Sequence, residues 1–195
     1  TITQIDNSLV QLNHVMSTLM DIRSDIERLF PAARLMDNTL APAHSDFLTA
    51  SQLAIQEIDS QSSEENARSH QAFEDAMQSW LQMIGSFRLY VVRQAGIYSD
   101  TEKGLNDAAH DIALHYQKVQ EHLEHLRQLE KEHEFPLQAG ESLQRMSEST
   151  SVWYQAYQEF RTMRKTGHWR ADFPIIEEKI QPLFAQIWED LDRID

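Results

Sequence analysis

TITQIDNSLVQLNHVMSTLMDIRSDIERLF, residues 1–30, sets Ile2, Ile5, Leu9, Leu12, Met16, Leu19, Arg23, Ile26 and Phe30 in alternating steps of three and four. That spacing is the contact stripe of a helix in a left-handed bundle. It predicts a helix over about 2–30 that continues past Pro31 to Met36, because proline is tolerated where a helical turn begins. Arg23 stands in the stripe where an aliphatic side chain would pack better. Burying an unpaired guanidinium costs several kcal/mol, so an anion is expected beside it. At the other end Ile176, Ile180, Leu183, Ile187, Leu191 and Ile194 form a second helical stripe.

Between these two stripes the same spacing recurs. After an expected loop over 37–44, a short helix carries Phe47, Ile55 and Ile58, and the pattern weakens across the polar residues 60–66. A long helix follows with Phe73, Met77, Trp80, Ile84, Phe87, Val91, Gln94 and Tyr98 on one face. Asp100, Thr101, Glu102 and Lys103 can cap a third, whose stripe is Leu105, Ala108, Ile112, His115, Val119, His122, Leu126, Leu129 and His133, with Pro136 ending it. A fourth spans about 138–166 through Leu143, Met146, Thr150, Trp153, Tyr157, Phe160 and Arg164, and Gly167 terminates it. Asp172 and Pro174 open the last. The expected fold is all-α, an elongated antiparallel up-down bundle with a four-helix core and five or six helices in one unit over 1–195, two stacked bundles being the longer form of the same plan. Helices of about 30 residues would be about 45 Å long.

Composition narrows the chemistry. Seventeen Lys and Arg against 31 Asp and Glu leave a net charge of -14, which repels nucleic acid and anionic lipid over the surface as a whole. Twelve of the 17 basic residues are Arg, so local anion sites built from guanidinium forks remain compatible with an acidic envelope. The absence of cysteine excludes disulfides and thiolate-bound zinc or iron–sulfur clusters. No apolar run approaches the roughly 20 residues of a membrane span, and both end helices run to the chain ends, so an extramembrane domain cut between two spans is expected.

Several side-chain sets could carry function. Arg23 and Arg28 lie on the first helix, Arg88 and Arg93 flank the aromatic stripe of the second long segment, and Arg164 ends the fourth helix; Trp80 of the second long segment and Tyr157 of the fourth helix are aromatic positions at helical spacing. Arginines from different helices can grip a carboxylate while aromatic rings wall the pocket. These seven residues are the expected ligand-binding set. Five of the nine histidines, His110, His115, His122, His125 and His133, share one helix, and His70 with Glu74 makes an HxxxE pair. That pair matches one part of the hemerythrin ligand pattern, but the rest of the pattern is missing, so no metal and no cofactor are expected. No GxSxG, Walker loop, GxGxxG or HExxH occurs, and no pair of carboxylates is marked out as acid and base, so an enzyme is the poorest fit.

The opening stripe with Arg23 and Arg28, the closing stripe from Ile176 to Ile194, and the aromatic, Arg-rich segments 80–98 and 153–170 together resemble the all-helical periplasmic sensor domains of bacterial transmembrane receptors, chemoreceptors and sensor histidine kinases among them. The resemblance implies a periplasmic domain of an inner-membrane protein, working as a homodimer in signal transduction such as chemotaxis. It implies a small-molecule ligand, an organic acid or amino acid, held between helices by arginines, and a displacement of first against last helix that passes the signal on. A helical protein-interaction scaffold and a His/carboxylate metal-binding bundle are the competing expectations.

Overall fold

The computed structural model describes residues 2–60, 64–94, 101–167 and 169–193. Their secondary structure is entirely helical: α1 (Ile2–Ser24), α2 (Ile26–Leu29), α3 (Pro31–Leu35), α4 (Ala41–Asp59), α5 (Glu64–Gln94), α6 (Thr101–Glu132), α7 (Leu137–Lys165), α8 (Asp172–Ile175) and α9 (Gln181–Asp192). The chain is an all-α helical bundle protein. It divides into two compact units, one of residues 42–154 and one of residues 1–41 with 155–195.

The 42–154 unit is a four-helix bundle whose topology can be read from its cross-links. On α4 and α5, Asp59 meets His70 at 3.2 Å while Phe47 stacks on Trp80, so the two helices run antiparallel. Arg93 near the end of α5 donates from Nη1 to the Gly104 carbonyl at the start of α6. Between α6 and α7, Arg127 bonds the Ser147 hydroxyl at 2.9 Å and Tyr116 stacks on Tyr154 at 3.6 Å. Glu57 of α4 accepts the Ala139 N–H in the first turn of α7 at 2.7 Å, where an anion suits the unpaired donors of a helix start. The order is up-down-up-down.

Much of its core lies where the spacing predicts, but Met77 and His122 of the expected stripes are only half-buried, while Met83, Tyr90 and Leu123, off the stripes, are buried. Leu105, Ala108, Ile112, Val119, Leu126 and Leu129 of α6 are buried, as are Leu143, Met146, Thr150 and Trp153 of α7. Thr150 fits because its hydroxyl donates to the Met146 carbonyl at 2.7 Å. Trp80 lies at the centre, stacked on Phe47 at 4.1 Å and meeting Trp153 edge-on at 5.7 Å, while Phe87 meets the same Trp153 at 5.3 Å. The Trp80 indole N–H donates to His44 Nδ1 at 2.9 Å, which satisfies a polar atom in an apolar layer.

His44 must be neutral at Nδ1 to accept that bond, and burial, helped by the nearby Arg88 charge, pushes its pKa below the ordinary value of 6.5. The unfolded chain therefore binds the extra proton more readily. Stability from this residue is complete above pH 6.5 and declines as the pH falls below it toward the folded value. Urea midpoints measured between pH 8 and pH 5 should fall on the acid side. In His44→Asn, whose amide oxygen can take the place of Nδ1, part of that slope should vanish; an unchanged slope would remove His44 as its source.

In the other unit the first helix departs from expectation. It stops at Ser24 because Asp25 turns extended and its carboxylate accepts the N–H groups of Glu27 (3.0 Å) and Arg28 (3.3 Å), starting α2 afresh. Phe30 also leaves the helical region, as the residue before a proline prefers to, and Pro31 opens α3. The predicted stripe of α1 is also split. Ser8 and Leu19 are buried and Ile5, Leu12, Val15 and Ile22 half-buried, whereas Leu9 and Met16 are exposed.

The expected loop over 37–44 does not exist. Met36–Leu40 is a π-helical turn running straight into α4, and Ile176–Ile180 is a second one running into α9. In each case a proline follows two residues later, Pro42 and Pro182. A wider turn, closed by the Ala41 N–H on the Met36 carbonyl and the Gln181 N–H on the Ile176 carbonyl, absorbs the ring and the missing donor without ending the helix. Gly167 does end α7, with φ at +76° and its N–H on the Arg164 carbonyl. The expected cap of α6 begins at Asp100, outside the described residues.

Candidate functional site

The anion demanded by Arg23 is Asp172, 149 residues away in sequence. Arg23 donates from Nε and Nη2 to Asp172 Oδ2, both at 2.9 Å. Arg170 approaches the same carboxylate from the other side, Nε to Oδ1 at 3.0 Å and Nη2 to Oδ2 at 2.7 Å. The two guanidinium groups thus close on a carboxylate with no exposed surface at all, while 47% of the Arg23 side chain stays in water. Burial pushes the Asp172 carboxyl upward, but bonds from Arg170 and Arg23 and their charges outweigh it and hold the group below its ordinary value.

The surroundings fix this arrangement. Arg170 lies over the Phe173 ring at 4.3 Å and within 6 Å of the Phe30 and Trp169 rings, and Trp169 meets Phe173 edge-on at 5.7 Å. The Ala171 N–H donates to the Leu29 carbonyl at 3.0 Å. Arg23 near the end of α1 is thereby tied to Asp172 at the start of α8. Farther along, Val10, His14 and Val15 face Glu178, Pro182 and Leu183 across an open groove of about 590 Å³. Numbers rise on one helix as they fall on the other, so α1 and the α8–α9 segment pack antiparallel.

The other expected ligand contacts have separate placements. Arg28 pairs with Asp21 at 2.7 Å on the surface of the same unit. Arg164 is half-buried near the end of α7, and Tyr157 is buried. In the four-helix unit Arg88 is exposed, Arg93 crosses the first turn of α6 where Gly104 leaves room for it, and Trp80 is fully enclosed with its N–H committed to His44. Trp80 is therefore core, with no surface to offer a ligand. A second open groove of about 580 Å³ lies between α5 and α6, with Arg68, Gln71 and Asp75 facing His125, Gln128 and Glu132. Arg170, which follows Trp169 after the fourth helix, and Asp172 stand outside the expected ligand set. Asp172 carried the signature of a helix opener, and only the bond back to Arg23 reveals its other use.

Among the described residues no three His, Cys, Asp or Glu side chains converge as a metal site. The HxxxE pair instead sits as His70 between Asp59 (3.2 Å) and Glu74 (3.7 Å) on the bundle surface. No described helix is long and apolar enough to cross a membrane. No family model, curated protein or solved structure matches the chain.

Proposed function

We propose that the chain is a helical sensory domain that takes a small carboxylate-bearing molecule, an organic acid or amino acid, at Arg23 and Arg170, and answers with a shift of α1 against the α8–α9 segment. The observation that carries this reading is two guanidinium groups on one buried carboxylate, which leaves a positive charge in excess in a chain of net charge -14. The outer edge of Arg23 is in water and still has N–H groups to give. An incoming carboxylate there competes with Asp172 for Arg23, and loosening that grip frees the tie between the two helices. A ligand that binds the loosened arrangement more tightly shifts its population, and no bond needs to break. As an expectation, the parent protein is an inner-membrane receptor with this domain in the periplasm.

The test is calorimetry and thermal unfolding against organic acids, amino acids and inorganic anions. A one-site ligand at 100 times its dissociation constant adds about 2.7 kcal/mol, which raises the midpoint of a chain this size by roughly 5–10 °C. Arg23→Ala should abolish that response while the domain stays folded, because Arg170 keeps its two-point hold on Asp172. Equal affinity in wild type and variant would take Arg23 out of the site.

A further inference from the structure

Tyr116 of α6 and Tyr154 of α7 lie face to face, with ring centroids 3.6 Å apart and planes within 10° of parallel. Aromatic pairs ordinarily settle edge-on or offset at about 4.5–7 Å, because the quadrupoles of two cofacial rings repel. The close stack is therefore held by the helices rather than by the rings. Ile112 and Val119 of α6 and Thr150 and Trp153 of α7 are buried beside it, and Arg127 ties α6 to the Ser147 hydroxyl at 2.9 Å farther along the same seam. Each ring has two carbons ortho to its hydroxyl. Whatever the rotation of one ring over the other, at least one ortho carbon of each then lies about 4 Å from its counterpart, the ordinary contact distance of two carbons.

Access and chemistry single out the same pair. Both rings are half-buried, so their edges reach water, whereas Tyr90 and Tyr157 are each only 1% exposed; Tyr98 lies outside the described residues. Burial, with the Tyr154 phenol beside it, holds the Tyr116 pKa above the ordinary 10.0. This phenol therefore meets an oxidant in its neutral form and gives up a proton with its electron. The chain has no cysteine, hence no thiol of its own to reduce a tyrosyl radical. Two radicals already in contact couple without a diffusional search, which favours the bond within one chain over a bond between chains.

From this we infer that Tyr116 and Tyr154 are an oxidative cross-linking site, a stacked phenol pair that hydrogen peroxide and a haem peroxidase convert to dityrosine, fixing α6 to α7. Each O–H gives up one proton and one electron. The two phenoxyl radicals join through a Cε–Cε bond, and the hydrogens on those two carbons then move to the oxygens and restore both phenols. Peroxide takes up the two protons and two electrons and leaves as two waters. The new bond closes the chain from 116 to 154 into a loop and so restricts the unfolded state as a disulfide does. The site lies wholly in the 42–154 unit and does not depend on the ligand reading.

Treating the dilute 195-residue chain with a haem peroxidase and an equimolar amount of hydrogen peroxide tests it. The chain should lose two hydrogens in mass while staying single and should gain the blue fluorescence of dityrosine. Trypsin, cutting after Lys103, Lys118, Arg145 and Arg161, should release one product that joins 104–118 to 146–161. The thermal midpoint should rise by roughly 5–10 °C. Tyr116→Phe and Tyr154→Phe each keep a stacking ring, so circular dichroism should be unchanged, and each should abolish both the joined product and the rise. A joined product that survives in either variant, dityrosine found only between chains, or peroxide consumed with no chain lighter by two hydrogens would overturn the inference.

Discussion

Trp80→Ala is expected to cost the four-helix unit about 3–5 kcal/mol, the range for emptying a large aromatic site in a packed core. Trp80 has no exposed surface and sits between Phe47, stacked at 4.1 Å, and Trp153, edge-on at 5.7 Å. Removing it leaves a void that α4, α5 and α7 all border, and helices held by end contacts such as Glu57 to Ala139 cannot close on it freely. Trp80→Phe isolates the smaller part. It keeps an aromatic ring against Phe47 but deletes the bond to His44, and should cost about 1 kcal/mol for the bond plus the loss of the second ring. Urea unfolding followed by circular dichroism measures both. A loss under about 1.5 kcal/mol for Trp80→Ala would show that the bundle relaxes around the gap and that this layer does not hold it together.

The four-helix unit was legible because its helices obey one rule along their whole length. Leu143, Met146, Thr150 and Trp153 were placed on the inner face by spacing alone, and all four are buried. Leu123, equally enclosed, was missed because it lies beside the expected stripe position His122; a helix surrounded on more than one side buries a band wider than a two-position seam. Where local chemistry competes with periodicity, spacing misled. Ile26 fits the α1 stripe, yet the Asp25 cap restarts the chain there and leaves Ile26 71% exposed. The expected loop over 37–44 holds Pro42, and nothing in residue spacing distinguishes a stop there from the π turn that accommodates the ring. The candidate site was half legible. Its place in an apolar stripe marked Arg23 for an anion, but the buried member of the pair is the carboxylate, since Arg23 stays 47% exposed, and which of 31 acidic residues it is remains a tertiary fact.

Asp172→Ala should destabilise the unit containing α1 and α9 by about 2–3 kcal/mol at pH 7, below the 3–5 kcal/mol for stranding a fully buried charge because Arg23 can turn into water. Arg170 cannot turn as easily. It is packed against Phe173 at 4.3 Å, and without the carboxylate its guanidinium keeps the faces of aromatic rings and a side chain only 27% exposed to water. Acid should imitate the substitution. The folded-state carboxyl is held below its ordinary value of 3.8, so the unfolded chain takes the proton first, and stability that is complete above that value declines as the pH drops through and below it. Wild type should therefore lose stability toward pH 2 by an increment that Asp172→Ala lacks. Asp172→Asn separates charge from shape, for it retains one acceptor oxygen in nearly the same volume. If the asparagine variant falls close to alanine, the two arginines are held by charge, and a competing carboxylate can release Arg23 as the sensory reading requires. If it falls close to wild type, the contact works by hydrogen bonds alone, an anion has little to compete for, and the tie between α1 and α8 is a fixed strut.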